Sequence, residues 1–146
     1  MFAQFIEKYP PAIIIKLTRD CKTQGEFDDF IKKMYDIYNR NKMFNLLIDT
    51  QNVKNFGISY PIQFAYFLLK VKPLTKKYVK KSAIVLSSPF MEKIVNIVFK
   101  ISPPTSDMII TRDLKDALIH VIDNDENDDD IISKPVQVNN KSIENI

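Results

Sequence analysis

Apolar residues along this chain fall into two rhythms. Residues 12–17 (Ala-Ile-Ile-Ile-Lys-Leu) and 44–48 (Phe-Asn-Leu-Leu-Ile) are short, largely apolar runs closed by turn residues. Such runs mark strands covered on both faces. Between them, Phe27, Phe30, Ile31, Met34, Ile37 and Tyr38 recur every three or four residues. Asp28, Asp29, Lys32, Lys33 and Asp36 fill the other positions, which predicts an amphipathic helix. Thr23 and Glu26 have the spacing of a capping box at its start. The same alternation continues. Residues 82–87 and 107–111 read as strands, and residues 2–8 as a short edge strand turned by Pro10 and Pro11. Ser59, with Pro61 in the first turn, predicts a helix over about 60–71 that Pro73 ends or kinks. Ser88-Pro89 repeats that signal ahead of Phe90, Ile94, Ile97 and Val98. Asp113 starts a last helix whose stripe is Leu114, Ala117, Leu118, Val121 and Ile122. The expected class is therefore α/β: a small, mainly parallel sheet of four to five strands with four helices.

Charge divides the chain. Through Ile122 there are 19 Lys and Arg against 11 Asp and Glu, whereas from Asp123 onward there are two against seven. Residues 1–122 form one expected domain, and 123–146 an acidic tail too sparse in large apolar side chains to fold alone. No apolar run approaches the length of a membrane span, and no basic region followed by an apolar block opens the chain. A single cysteine, Cys21, excludes an internal disulfide framework and points to a reducing, cytoplasmic compartment.

Little in the chain is arranged for catalysis. His120 is the only histidine, and it falls within the last helix. Cys21 has only Arg19 and Lys22 beside it to activate a thiol. Two glycines leave no phosphate-cradling loop, and no His or Cys pair has zinc spacing. No metal, no cofactor and no enzymatic activity are expected. A weaker reading remains, a small hydrolase or ligand binder using Asp49, Ser59 and His120.

Two stretches are candidates for binding. Asp49 ends a strand, and the loop beyond it carries Asn52, Gly57, Ser59 and Tyr60; in open α/β sheets such loops hold ligands and partners. The helix that follows has almost no polar side: Ile62, Phe64, Ala65, Tyr66, Phe67, Leu68 and Leu69 are either wholly buried or meet a partner or a second copy. The second stretch, 70–81, carries Lys70, Lys72, Lys76, Lys77, Lys80 and Lys81. It is a solvated face or a site for nucleic acid or an anionic lipid surface.

Residues 2–122 resemble the STAS domain, the module of sulphate transporters and anti-sigma-factor antagonists. The likeness rests on the strand at 12–17, the helix at 26–38, the run Leu46-Leu-Ile-Asp49-Thr-Gln-Asn-Val53 ahead of a helix at Pro61, the strand at 82–86, and Thr111-Arg-Asp-Leu-Lys-Asp-Ala117. The resemblance implies a STAS-like fold and a regulatory adaptor for a protein partner. It also implies a phosphorylatable serine in the loop, at Ser59. The family's loop places an aspartate before that serine, and this chain has Ile58 there. Anion binding by the 70–81 segment is the alternative function, and a homo-oligomer is a further possibility for the apolar helix.

Overall fold

The alternating pattern folds into ten elements in the computed structural model, which describes residues 1–55 and 57–122. They are β1 (Ala3–Tyr9), β2 (Ala12–Leu17), α1 (Gln24–Tyr38), β3 (Phe44–Asp49), α2 (Ser59–Lys70), α3 (Lys72–Tyr78), β4 (Val79–Val85), α4 (Pro89–Ile101), β5 (Asp107–Thr111) and α5 (Leu114–Ile122). The acidic segment 123–146, expected to be disordered, lies outside the described residues.

One sheet holds all five strands in chain order, β1-β2-β3-β4-β5. β1 folds back antiparallel on β2 through Pro10-Pro11, and every later pairing is parallel. Parallel strands in sequential order wind in one direction. Right-handed crossovers then put every connecting helix on the same face. The burial follows that rule. Ile13, Ile15 and Leu17 of β2, with Leu46 of β3, pack into one core with Phe27, Phe30 and Met34 of α1, Phe67 of α2 and Ile94 of α4. Among the described residues, α5 is the helix that covers the other face. There Ala117, Leu118 and Val121 seal Ile14, Leu47, Ala83 and Val85.

The local signals explain most boundaries. Thr23 Oγ1 accepts the Glu26 N–H at 3.1 Å, and the Glu26 carboxylate accepts the N–H of Lys22 at 3.0 Å, a variation on the capping box. Ser88 caps α4 by accepting the Met91 N–H at 3.1 Å. Asp113 accepts the Lys115 N–H at 2.9 Å at the start of α5. Two expectations need correction. Among the described residues there are five helices rather than four. Pro73 does follow the end of α2, but it also occupies the first turn of α3, where its missing N–H costs nothing. β4 begins at Val79 rather than Ser82, because a register irregularity against β3 accommodates Lys80 and Lys81.

Candidate functional site

The loop leaving β3 is held from three directions. Asp49 is buried, and its Oδ1 accepts the Gln51 N–H at 3.0 Å. Burial pushes the Asp49 carboxyl above its ordinary value; the Gln51 N–H and Lys16, its neighbour in register on β2, offset that in part. Thr50 extends the pairing with β4, since both its N–H and its hydroxyl donate to the Val85 carbonyl at 2.8 Å. Val53 drops into the core and is 2% exposed. Asp20, in the loop before α1, accepts the N–H groups of Lys54 and Asn55 at 2.7 and 3.1 Å. Beside it, an ion pair with Arg19 and the Lys22 N–H hold the Glu26 carboxyl down to about 2. The outcome is a fixed loop that shows Gln51, Asn52, Lys54, Asn55 and Gly57 to solvent. Asp20 is absent from the expected site; a carboxylate acting on backbone 34 residues away leaves no local pattern to read.

Where the loop meets α2, Ser59 behaves differently from expectation. Ile58, with helical φ and ψ, stands at the N-cap, and no side chain caps the helix. A cap is hardly needed. The Tyr60 N–H donates to the Gly57 carbonyl at 3.2 Å, and Pro61 has no N–H to satisfy. Ser59 is therefore an exposed first-turn residue rather than the cap. Gly57 is not conformationally required either: no glycine has a positive φ, and a Cβ at 57 meets only the Tyr60 ring, at 3.8 Å. Tyr60 is half-buried and stacks on Phe27, with ring centroids 5.1 Å apart. It is a wall of the core more than a contact for a partner.

α2 itself is neither wholly buried nor wholly exposed. Its inner side, including Pro61, Ala65 and Phe67, packs between α1 and α4. Its outer side carries Ile58 (63% exposed), the half-buried Ile62, Tyr66 (62%) and Leu69 (38%). Steps of four, four and three keep these residues on one helix face. Ile62, Tyr66 and Leu69 of this stripe were contained in the apolar excess of 62–69, but the sequence does not say which face turns outward.

The remaining candidates do not converge. Side chains alternate along β3, so Asp49 shares the α5 face with Asn45 and Leu47, while Ser59 begins a helix on the opposite face. The His120 ring Nε2 lies 3.0 Å from the carbonyl of Asp107, the first residue of β5, at the sheet end opposite to Asp49. Asp49, Ser59 and His120 form no common site. Burial raises the Cys21 thiol above its ordinary value, the reverse of an activated thiolate. The basic segment is divided among three elements. Lys70 ends α2 and Lys72 is half-buried; Lys76 and Lys77 are exposed on α3; Lys80 and the half-buried Lys81 begin β4. Two adjoining clefts of about 60 and 70 Å³ lie between α2, α4 and the sheet, sharing Ile48, Phe64, Ile84 and Phe99. Each is under half the roughly 150 Å³ needed to hold benzene. No group of His, Cys, Asp and Glu suited to a metal ion occurs among the described residues. No helix among them is long and apolar enough to cross a membrane.

No family model matches this chain, and no curated protein matches it. Among solved structures it is similar to an uncharacterized protein of the DUF3478 family with a SpoIIAA-like fold from Shewanella loihica PV-4. The TM-score is 0.53 at 16% identity, over 80% of this chain and 89% of that one. The fold is SpoIIAA-like. This is the STAS-like architecture that the motif resemblance implied. In this STAS-like chain the parallel strands never reverse their order, so no crevice opens between diverging crossovers of the kind that seats ligands in doubly wound sheets. The loop residues, Ser59 and the outer stripe of α2 are exposed in this STAS-like fold.

Proposed function

We propose that this chain is a non-enzymatic interaction module, a regulatory adaptor that binds a protein partner through the outer face of α2 and the loop before it. The observation that carries this reading is the exposed stripe of Ile58, Ile62, Tyr66 and Leu69. It extends about 16 Å along the helix. That length suits a groove or a second helix, as in other helix-face recognition. Lys54 and Lys70 are exposed toward its two ends, which favours a partner with an apolar centre and acidic ends. Ser59 adjoins Ile58 at the rim. A phosphate there adds a charge of about −1.5 to −2 next to an apolar contact, so modification at Ser59 releases the partner. With Tyr60's N–H engaged and Pro61 lacking one, that phosphate is tolerated through the helix dipole rather than by a cage of N–H groups.

The test is affinity capture from the native source with four baits: the natural chain, Tyr66→Asp, Ser59→Glu, and a chain with Lys76, Lys77 and Lys80 all changed to Gln. A buried aromatic anchor is worth about 2 kcal/mol or more, so Tyr66→Asp lowers recovery of the partner by at least about tenfold. Ser59→Glu weakens recovery, and the lysine variant matches the natural chain. Identical recovery by the natural chain and Tyr66→Asp refutes the reading.

A second reading rests on Lys76, Lys77 and Lys80, exposed on α3 and at the start of β4. It assigns the chain an anionic partner, nucleic acid or an acidic lipid surface. Such binding falls steeply with salt and survives Ser59→Glu and Tyr66→Asp.

A further inference from the structure

The four parallel strands all begin at one edge of the sheet, with Ala12, Phe44, Val79 and Asp107 as their first residues. Basic side chains gather there. Lys42 precedes β3, Lys76 and Lys77 lie in the last turn of α3, and Lys80 and Lys81 open β4. The carboxylates near this edge are largely committed. Glu7 pairs with Arg40, which also lies in the field of Asp36, and Asp107 stands beside Lys81 in register. Lys76 and Lys80 make no ion pair among the described residues.

The chain leaves its last helix at the same edge. The side-chain amide of Asn45 donates to the Val121 carbonyl at 2.8 Å, and its oxygen accepts the Lys81 N–H at 3.1 Å. One buried amide thus spans the gap between the end of α5 and the start of the basic strand. Of the next eight residues after Ile122, six are acidic (Asp123, Asp125, Glu126, Asp128, Asp129 and Asp130) and none is basic. Acidic groups directly after a helix meet the negative end of its dipole, so they find no stabilisation from α5 itself.

We propose that residues 123–130 of this chain lie across the basic edge formed by α3 and the start of β4, and shield its lysines from other anions. An extended chain spans at most about 3.5 Å per residue, so eight residues reach roughly 28 Å, enough to cover Lys80 and both lysines of the last turn of α3. A tether this short holds the acidic run at millimolar effective concentration, so each contact can be weak. Opposed charges within a Debye length of about 8–10 Å at physiological ionic strength then favour the covered state. Competition with any anionic partner of this edge follows from it. The proposal involves a different surface from the α2 stripe and does not depend on it.

Zero-length carbodiimide coupling of the full chain tests it, with equal amounts of ¹⁵N-labelled and unlabelled protein mixed before coupling. Amide bonds are expected between Lys76, Lys77 or Lys80 and the acids of 123–130, within single chains. Their yield is expected to fall several-fold at 1 M salt, where the Debye length is about 3 Å. A full-length variant with Asp125, Asp128, Asp129 and Asp130 changed to Asn and Glu126 changed to Gln is expected to bind heparin at least about tenfold more tightly than the natural chain, as an uncovered basic edge requires. Absence of these cross-links overturns the proposal, as does their confinement to pairs of differently labelled chains. Equal heparin affinity of the two chains also overturns it.

Discussion

A carboxylate that ends a central strand invites a functional reading, and Asp49 shows how one residue can carry a cost without an evident reaction. Its Oδ1 stabilises the turn by accepting the Gln51 N–H, a bond that an amide oxygen in the same place can also accept. Burial makes its charge unfavourable and raises its pKa, despite Lys16 nearby. The sign follows from linkage. The folded chain keeps this proton to a higher pH than the unfolded chain, whose carboxyl has the ordinary value of 3.8. The cost is therefore absent well below 3.8, grows as pH rises through the folded value, and is complete at neutral pH. Asp49→Asn is expected to raise Tm at pH 7 and to leave it unchanged near pH 3, measured by thermal melts across that range. A lower Tm at pH 7 would mean that the attraction to Lys16 outweighs burial. Ser59 gives the complementary lesson at this scale. A serine before a proline-containing first turn reads as a cap, as Ser88 is; at Ser59 the backbone enters the helix one residue early, and the hydroxyl is left on the surface.

Between elements, the decisive contacts are the ones a sequence pattern cannot show. The strands and amphipathic helices were legible because their signals are local: apolar runs, three-and-four spacing, Thr23, Ser88 and Asp113. α3 was not, since Pro73 signals the end of one helix and suits the start of another equally well. Asn45 carries no local signal within the run 44–48, yet its amide ties α5 to β4. Replacing it by a residue of similar size without polar atoms, Asn45→Leu, removes the donor to the buried Val121 carbonyl and the side-chain acceptor of the Lys81 N–H. A buried polar group left unsatisfied costs about 1–3 kcal/mol, so the variant is expected to lose about that much in urea unfolding. Hydrogen exchange should quicken first in the last turn of α5. A loss below about 0.5 kcal/mol would show that water replaces the amide at no cost. Asp20, which holds the loop after β3 from the other side of the chain, was invisible for the same reason as Asn45.

At the scale of the whole molecule, sequential strand order places three crossovers on one face and leaves α5 to cover the other, which is why the fold has a firm core and no reversal crevice. The expectation of a site beyond β3 was drawn from doubly wound sheets, where strand order reverses; here the strands keep their sequential order. That difference makes stability and recognition separable. Leu118 is fully buried in α5, which covers Leu47, Ala83 and Val85. Leu118→Ala is expected to cost about 2–5 kcal/mol, a large part of the 5–15 kcal/mol typical of a domain. Tyr66 is 62% exposed on the outer face of α2, and surface substitutions usually change stability by less than about 0.5 kcal/mol. Tyr66→Ser is therefore expected to unfold at the same urea concentration as the natural chain while losing the partner proposed for this face. If Tyr66→Ser instead costs more than about 1 kcal/mol, the stripe belongs to the core of the fold, and an apolar surface held in reserve for a partner is no longer the explanation for its exposure.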